Sequence, residues 1–239
     1  MRNHICELAH HVDRIYQAAV APEYWPLFLD GLRAELRLAS LHLVFRHPCD
    51  GDRGIVASTG MDEFYEDAYR YHYYQLNPWR PVGPEAKEGR ALQCNGLLPE
   101  SEILGTEFYN DWMRPQGIAD PFVAFLCNAG PGEAFSELVG FPEKSGKILR
   151  DEDLEPVRSL IPHLQRALGI HSRVQDAEIR AGAAAEALDR ISGGVILLDE
   201  RGSAIVTNRS ADRILALNDG LALNWDGPRA STPKQTAEL

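Results

Sequence analysis

One long helical pattern, over residues 151–191, most restricts how this chain of 239 residues can fold. Acidic residues crowd its first turn, where negative charge interacts favourably with the helix dipole. Apolar residues then recur at three- and four-residue spacing and form one narrow stripe. The members of this stripe are Val157, Ile161, Leu164 and Leu168. They predict either a dimerisation seam between two copies of the helix or an ordinary core helix that is broken near Pro162 or Gly169.

The region before this helix alternates between helical and strand-like patterns, which predicts an α+β domain. Two amphipathic helices, over residues 4–20 and 22–37, precede two short apolar strands joined by a turn. A short strand is predicted over residues 88–94, and a second hairpin over 120–141. We therefore expect at least four strands in one antiparallel sheet flanked by helices.

The region after the long helix, residues 192–239, predicts two strands and a helix capped by Asn208. Another helix is predicted to begin at Thr232, with roughly a turn and a half before Leu239. An isolated helix usually needs about 12 residues to be stable. We therefore expect this region to be an incomplete unit.

Charge, hydropathy and cysteine spacing exclude several classes of protein. The net charge of −11 argues against a large basic face for nucleic acid. No apolar run approaches the roughly 20 residues of a membrane helix, and the first residues lack the core of a signal peptide. The four cysteines are far apart and include no CxxC pair, which favours reduced thiols in the cytoplasm over a metal site.

Catalytic motifs are not found in the sequence. Residues 140–147 resemble a phosphate-binding loop, but the spacing is one residue too long and Ile148 replaces the required Ser or Thr. Neither a GxSxG turn nor an HExxH helix occurs, and no histidine pairs with acids at ligand spacing. We therefore predict no enzyme, no metal and no cofactor. A hydrolase whose catalytic residues meet only on folding is kept as a separate hypothesis.

Two helical segments, over residues 62–76 and 101–113, are unusually aromatic. Their rings predict either the core of a small domain or a cavity under the sheet for a mostly apolar small molecule, oriented by Tyr hydroxyls and Trp N–H groups. The candidate residues are Tyr69, Tyr73, Trp79, Phe108, Tyr109 and Trp112.

Four segments follow one another in an order that is typical of one family. They are DRIYQAAVAPEYWPLFLDGL, TEFYNDWMRPQGI, DEDLEPVRSLIPHLQRAL and GGVILLDERGSAIVTNRSADRIL. Together they resemble the N-terminal sensory region of bacterial LuxR-type helix-turn-helix transcriptional regulators. The resemblance covers nearly the whole chain. It implies a PAS/GAF-like sensory domain over residues 1–150, a connector and dimerisation helix over 151–191, and an incomplete PAS-like unit over 192–239.

The acyl-homoserine-lactone receptors of that family bind their ligand with aromatic residues near a Tyr and with a following Asp-Pro. Tyr69, Tyr73 and Asn77-Pro78 are similar in type, but their spacing differs and Asn77 stands in place of the acid. The resemblance therefore implies only a ligand-binding pocket near Tyr73, Asn77 and Trp79, and it does not identify the ligand.

These observations predict a cytoplasmic, ligand-responsive homodimer that controls transcription. DNA would be bound only through a C-terminal helix-turn-helix module that is absent from these residues, and no membrane partner is expected. The alternative is a stand-alone interaction protein that heterodimerises with full-length regulators and modulates them.

Overall fold

The computed structural model describes residues 2–46, 55–79, 87–118, 120–128, 135–143, 149–224 and 227–231. It divides into two compact units, Met1–Arg173 and Val174–Leu239. The division falls inside the long helix, whereas the sequence predicts boundaries at residues 150 and 191. Each unit is described by itself.

A five-stranded antiparallel sheet forms the centre of the first unit, with the strand order β2-β1-β5-β4-β3. Its strands are β1 (Leu38–Arg46), β2 (Ile55–Thr59), β3 (Ala91–Gln93), β4 (Phe122–Asn128) and β5 (Phe135–Pro142). The predicted α+β class and the antiparallel sheet are confirmed. The turns predicted between β1 and β2 and between β4 and β5 lie largely outside the described residues, as do residues 144–148 of the loop-like segment.

The helices of the first unit precede, interrupt and follow the sheet. They are α1 (Arg2–Val20), α2 (Trp25–Leu36), α3 (Glu63–Ala68), α4 (Tyr74–Leu76), α5 (Glu100–Leu104) and the first part of α6 (Glu155–Asp189). Asp62 caps α3, because its side chain accepts a hydrogen bond from the amide of Phe64 at 2.9 Å.

The aliphatic core of this unit lies between one face of the sheet and α1, α2 and α6. Leu41 and Leu43 of β1 and Leu138 of β5 contribute to it, since alternate residues of a strand point to the same face. Trp25 and Phe28 of α2 are fully buried there.

The long helix α6 is continuous through Pro162 and Gly169, so the predicted break does not occur. A 3₁₀ turn, Asp151–Leu154, precedes it. Proline in a helix interior removes one backbone hydrogen bond and crowds the preceding turn. Burial of Leu160 and Ile161 beside the proline holds this stretch against the core, and such packing outweighs intrinsic helix propensity.

The stripe that predicted a dimer seam is buried within a single chain. Its members, Val157, Ile161, Leu164 and Leu168, are each at most 2% exposed and belong to the aliphatic core. The core-helix alternative therefore accounts for these four residues, because their own sheet and helices already occupy the face that a partner helix would need. Dimerisation stays a prediction that must rest on other residues.

The second unit contains the rest of α6, two hairpins and one short helix. Its elements are β6 (Ile196–Leu198), β7 (Ala204–Thr207), α7 (Arg209–Ala216), β8 (Leu221–Asn224) and β9 (Gly227–Ala230). The side chain of Asn208 caps α7 by accepting from the amide of Ala211 at 2.9 Å, as the sequence predicts. The hairpin of β8 and β9 was not predicted, and the helix predicted at Thr232 lies outside the described residues.

Candidate ligand-binding site

The second face of the sheet carries a separate core, which we call the aromatic cluster. Along β4, Phe122 and Ala124 point to the aliphatic core, whereas Val123 and Phe125 point to the opposite face. The buried members of the aromatic cluster are Trp79, Cys94, Ile103, Phe108, Trp112, Met113, Ile118, Val123, Phe125 and Phe141.

Two π-helices place the predicted aromatic residues over this face. The first, Tyr69–Tyr73, links α3 to α4, and the second, Phe108–Met113, follows α5. In the second, the amide of Arg114 donates to the carbonyl of Tyr109 at 2.8 Å, which is the five-residue bond of a π turn. Such turns are rare and are frequent at functional sites. The sequence predicts a single α-helix for each of these stretches, so the π geometry is a difference from the expectation.

Trp112 lies at the centre of the cluster and is 1% exposed. Its ring centroid is 5.0 Å from that of Phe108, 5.1 Å from Tyr69 and 5.6 Å from Phe141. Its indole N–H donates to the carbonyl oxygen of Tyr65 at 2.9 Å. The indole is therefore held on its polar edge as well as on its faces.

Three tyrosines, Tyr69, Tyr73 and Tyr109, border the cluster and are only half-buried. The Tyr73 ring lies 6.3 Å from both Phe108 and Trp112. Burial raises the pKa of the Tyr73 phenol, and the nearby carboxylates of Asp111 and Glu107 add to this shift. The phenol is therefore protonated at neutral pH.

Asn77 joins the end of α4 to the aromatic residues. Its amide nitrogen donates to the Tyr69 hydroxyl at 3.0 Å, and its amide oxygen accepts from the backbone N–H of Trp79 at 2.9 Å. The Trp79 indole donates in turn to the carbonyl of Cys94 at 3.2 Å. Asn77 is thus hydrogen-bonded to both Tyr69 and Trp79. The pocket that the resemblance implies near Tyr73, Asn77 and Trp79 stays a prediction.

The structure brings the seven residues predicted to line the ligand site into one place. Trp79, Phe108 and Trp112 are buried members of the cluster, the three tyrosines pack against it, and Asn77 is bonded at its edge. Burial of the tryptophans is typical of a core, whereas half-buried tyrosines around them are typical of a pocket wall. Their binding of a ligand stays a prediction.

A polar chain under α3 was missed by the sequence analysis. It consists of Ser40 and His42, which are buried, and of Ser58 and Glu66, which are half-buried. The two ring nitrogens of His42 lie 3.0 Å from the Ser40 hydroxyl and 2.8 Å from the Ser58 hydroxyl, and Ser58 also donates to Glu66. His42 is 6% exposed, and burial lowers its pKa to about 4. Its ring packs on Phe141 of the aromatic cluster at a centroid distance of 5.7 Å.

Strand alternation was a signal that could have found two of its members, Ser40 and His42. Leu41 and Leu43 point to the aliphatic core, so Ser40 and His42 point to the opposite face. The arrangement resembles a serine-histidine-acid constellation, but Ser40 is 1% exposed. Ser58 is half-buried, and its hydroxyl donates to Glu66 rather than to His42. A histidine with so low a pKa is also a weak base at neutral pH. Its geometry therefore supports a structural role over hydrolysis.

A cleft of about 760 Å³ lies elsewhere in the same unit, between the middle of α1, the end of α2 and the start of α6. Leu36 and Leu160 contribute apolar surface to it. His11 Nε2 is paired with Glu35 at 2.7 Å within it. None of the residues lining this cleft belongs to the aromatic cluster.

Within the described ranges, no three His, Cys, Asp or Glu side chains are grouped so that they could hold a metal ion. The helices in this part of the chain are also too short or too polar to cross a membrane.

No protein-family model and no curated protein sequence matches this chain. Among solved structures, the ligand-binding domain of VqsR from Pseudomonas aeruginosa is similar, with a TM-score of 0.53 and 14% sequence identity. The match covers 70% of this chain and 96% of that domain.

Two further solved structures match with lower scores. CepR2 from Burkholderia cenocepacia, an N-acylhomoserine-lactone-dependent LuxR-family transcription factor, has a TM-score of 0.48 and 14% identity, over 70% of this chain and 93% of that one. The phycoerythrobilin-bound GAF domain of a cyanobacterial phytochrome has a TM-score of 0.44 and 12% identity, over 70% and 95%. The structural neighbours of this chain are thus LuxR-family ligand-binding domains and GAF domains. At 14% identity, the likeness to the VqsR domain shows the fold alone: an α+β architecture with a five-stranded antiparallel sheet.

Proposed function

We propose that the first unit is a sensory domain that binds a small molecule between the aromatic helices and the sheet. The observation that carries this proposal is the aromatic cluster, in which buried tryptophans are bordered by half-buried tyrosines on two π-helices. Together with the fold shared with a LuxR-family ligand-binding domain, it supports a ligand-responsive regulatory role.

The ligand is mostly apolar and carries no negative charge. Among the described members of the aromatic cluster, the one ionisable side chain that is buried is Cys94. Burial raises the pKa of this thiol well above its ordinary value, so it stays neutral. An anionic ligand would lose its hydration, meet no buried positive charge on these residues and be repelled by the carboxylates of Asp111 and Glu107 near Tyr73.

We also propose a transcriptional output. The chain is the sensory region of a cytoplasmic LuxR-type regulator, and this regulator acts as a homodimer. DNA binding would belong to a helix-turn-helix module, since these residues carry a net charge of −11. Pairing between copies would use surfaces other than the buried stripe of α6. The exposed stretch of α6 around Ile179, which is 64% exposed, offers such a surface.

A fluorescence titration tests the ligand site. N-phenyl-1-naphthylamine is an uncharged aromatic dye whose emission rises in apolar surroundings. The full chain is expected to bind it at one site, and an N-acylhomoserine lactone, the ligand class named for CepR2, can be tested as a competitor. Tyr73→Ala is expected to weaken dye binding about tenfold, because one ring of the wall is lost.

Tyr71→Ala is the matched control, since Tyr71 lies on the same π-helix and is 78% exposed. This variant is expected to bind the dye as the wild type does. The proposal fails if the wild-type chain does not bind the dye, or if the two variants weaken binding equally.

A further inference from the structure

The polar chain has one consistent arrangement of protons. A serine hydroxyl has a single proton, and Ser58 donates its proton to Glu66. Ser58 Oγ must therefore accept from the Nδ1–H of His42, which leaves Nε2 of the neutral ring to accept from Ser40. The polar hydrogens of Ser40, His42 and Ser58 then each have an acceptor, as buried polar groups require.

The polar chain connects two strands to α3 and the π-helix that follows it. We call these two helical segments together the tyrosine-bearing helix, since they carry Tyr69 and Tyr73. His42 of β1 and Ser58 of β2 are direct cross-strand partners, so their side chains share one face of the sheet. Glu66 of α3 precedes Tyr69 by three residues, which places both on the same helix face. The tyrosine-bearing helix is thus attached to the sheet one turn before Tyr69.

Three other side-chain hydrogen bonds hold the same helix from different directions. The Trp112 indole donates to the carbonyl of Tyr65, Asn77 donates to the Tyr69 hydroxyl, and His72 Nε2 lies 2.6 Å from Glu107 Oε1. None of these partners belongs to a strand. Among the hydrogen bonds of this helix in the described residues, the Ser58–Glu66 bond is therefore the one that joins it to the sheet.

We infer that Ser40, His42, Ser58 and Glu66 are positioning residues that set the distance between the tyrosine-bearing helix and the sheet, and thereby the ligand affinity of the aromatic site. This inference rests on the proposed function. The four side chains need not touch the ligand. They act because Tyr69 and Tyr73 can form a pocket wall only while α3 is held at the sheet, and a misplaced wall loses contacts with the ligand.

Glu66 is the position of choice for testing this role, because it is only half-buried and its loss should leave the chain folded. Glu66→Ala removes the acceptor of Ser58, whereas Glu66→Gln keeps an acceptor oxygen at the same place. Glu63→Ala, on the exposed face of the same helix, is the matched control. Each full-length variant is titrated with N-phenyl-1-naphthylamine, and amide hydrogen exchange is followed over residues 63–76.

We expect Glu66→Ala to raise the dissociation constant for the dye at least tenfold and to accelerate exchange over residues 63–76. Glu66→Gln and Glu63→Ala should match the wild type in both measurements. Wild-type affinity and exchange in Glu66→Ala would overturn the inference. It would also be overturned if Glu66→Gln behaved like Glu66→Ala, because the charge rather than the hydrogen bond would then matter.

The two proposals fail in different ways. If the wild-type chain does not bind the dye, the proposed function fails, and the inference about affinity fails with it. The exchange measurement still tests the positioning itself, since it needs no ligand. If the dye binds but Glu66→Ala changes neither measurement, only the positioning role is lost.

Discussion

At the scale of single residues, His42 links the stability of the fold to pH. Its ordinary pKa is about 6.5 in an unfolded chain, and burial lowers it to about 4 in the folded protein. Between these values the unfolded chain binds a proton that the folded chain does not, so the free energy of unfolding falls as the pH falls. The full shift corresponds to roughly 3 kcal/mol.

Urea unfolding at pH 7 and at pH 4.5 measures this effect. Because other groups also titrate in this range, the wild type is compared with His42→Gln, which cannot be protonated. The wild type is expected to lose roughly 2–3 kcal/mol more than the variant over this interval. Equal losses in the two proteins would contradict the assignment of a neutral, buried His42.

The residues of the site differ in how far the sequence could predict them. Tyr69, Tyr73, Tyr109 and Trp112 are aromatic residues within helical segments, so a pattern on each segment reveals them. The polar chain could not be found in this way, because Ser58 and Glu66 are separated from His42 along the chain and meet it only through strand pairing and helix docking.

At the scale of secondary structure, α6 is a core helix over its N-terminal half. Leu164 is fully buried, and Leu164→Ala is expected to lower the free energy of unfolding by about 2–5 kcal/mol through lost contacts and a cavity.

Gly169 is exposed, and a β-carbon there meets no other atom within 4 Å. Gly169→Ala should therefore raise the free energy of unfolding, by up to about 1 kcal/mol, if the helix continues through this residue.

Chemical denaturation at several protein concentrations measures both changes. The loss in Leu164→Ala should not depend on concentration, because the packing lies within one chain. A concentration-dependent loss would show that the stripe pairs two chains. A destabilising effect of Gly169→Ala would support a break in the helix near Gly169.

Most strands were predictable, because apolar runs bounded by turn residues are a local signal. The apolar stripe of α6 was equally clear, but its partner was not. A stripe at three- and four-residue spacing is the same whether it packs on a second helix or on a sheet. The π-helices were missed for a related reason, since their turns depend on how the aromatic rings pack against the sheet.

At the scale of the whole molecule, the sheet of the first unit separates two cores of different character. The face under α1, α2 and α6 holds a mostly aliphatic core, whereas the other face holds the aromatic cluster with its half-buried tyrosines. The strand order β2-β1-β5-β4-β3 brings His42 and Phe141 together from opposite ends of the domain sequence. Such long-range pairing is not encoded in any local pattern, so it could not be predicted from the sequence.

The central claim is that a ligand enters on the aromatic side of the sheet. Trp25 lies in the aliphatic core and Trp112 in the aromatic cluster, and both are buried. The most direct test follows their indole N–H resonances by NMR while N-phenyl-1-naphthylamine is added to the full chain. We expect the resonances of Trp112 and Trp79 to shift and that of Trp25 to stay in place. A shift of Trp25 without a shift of Trp112, or no shift of any of them, would contradict the account.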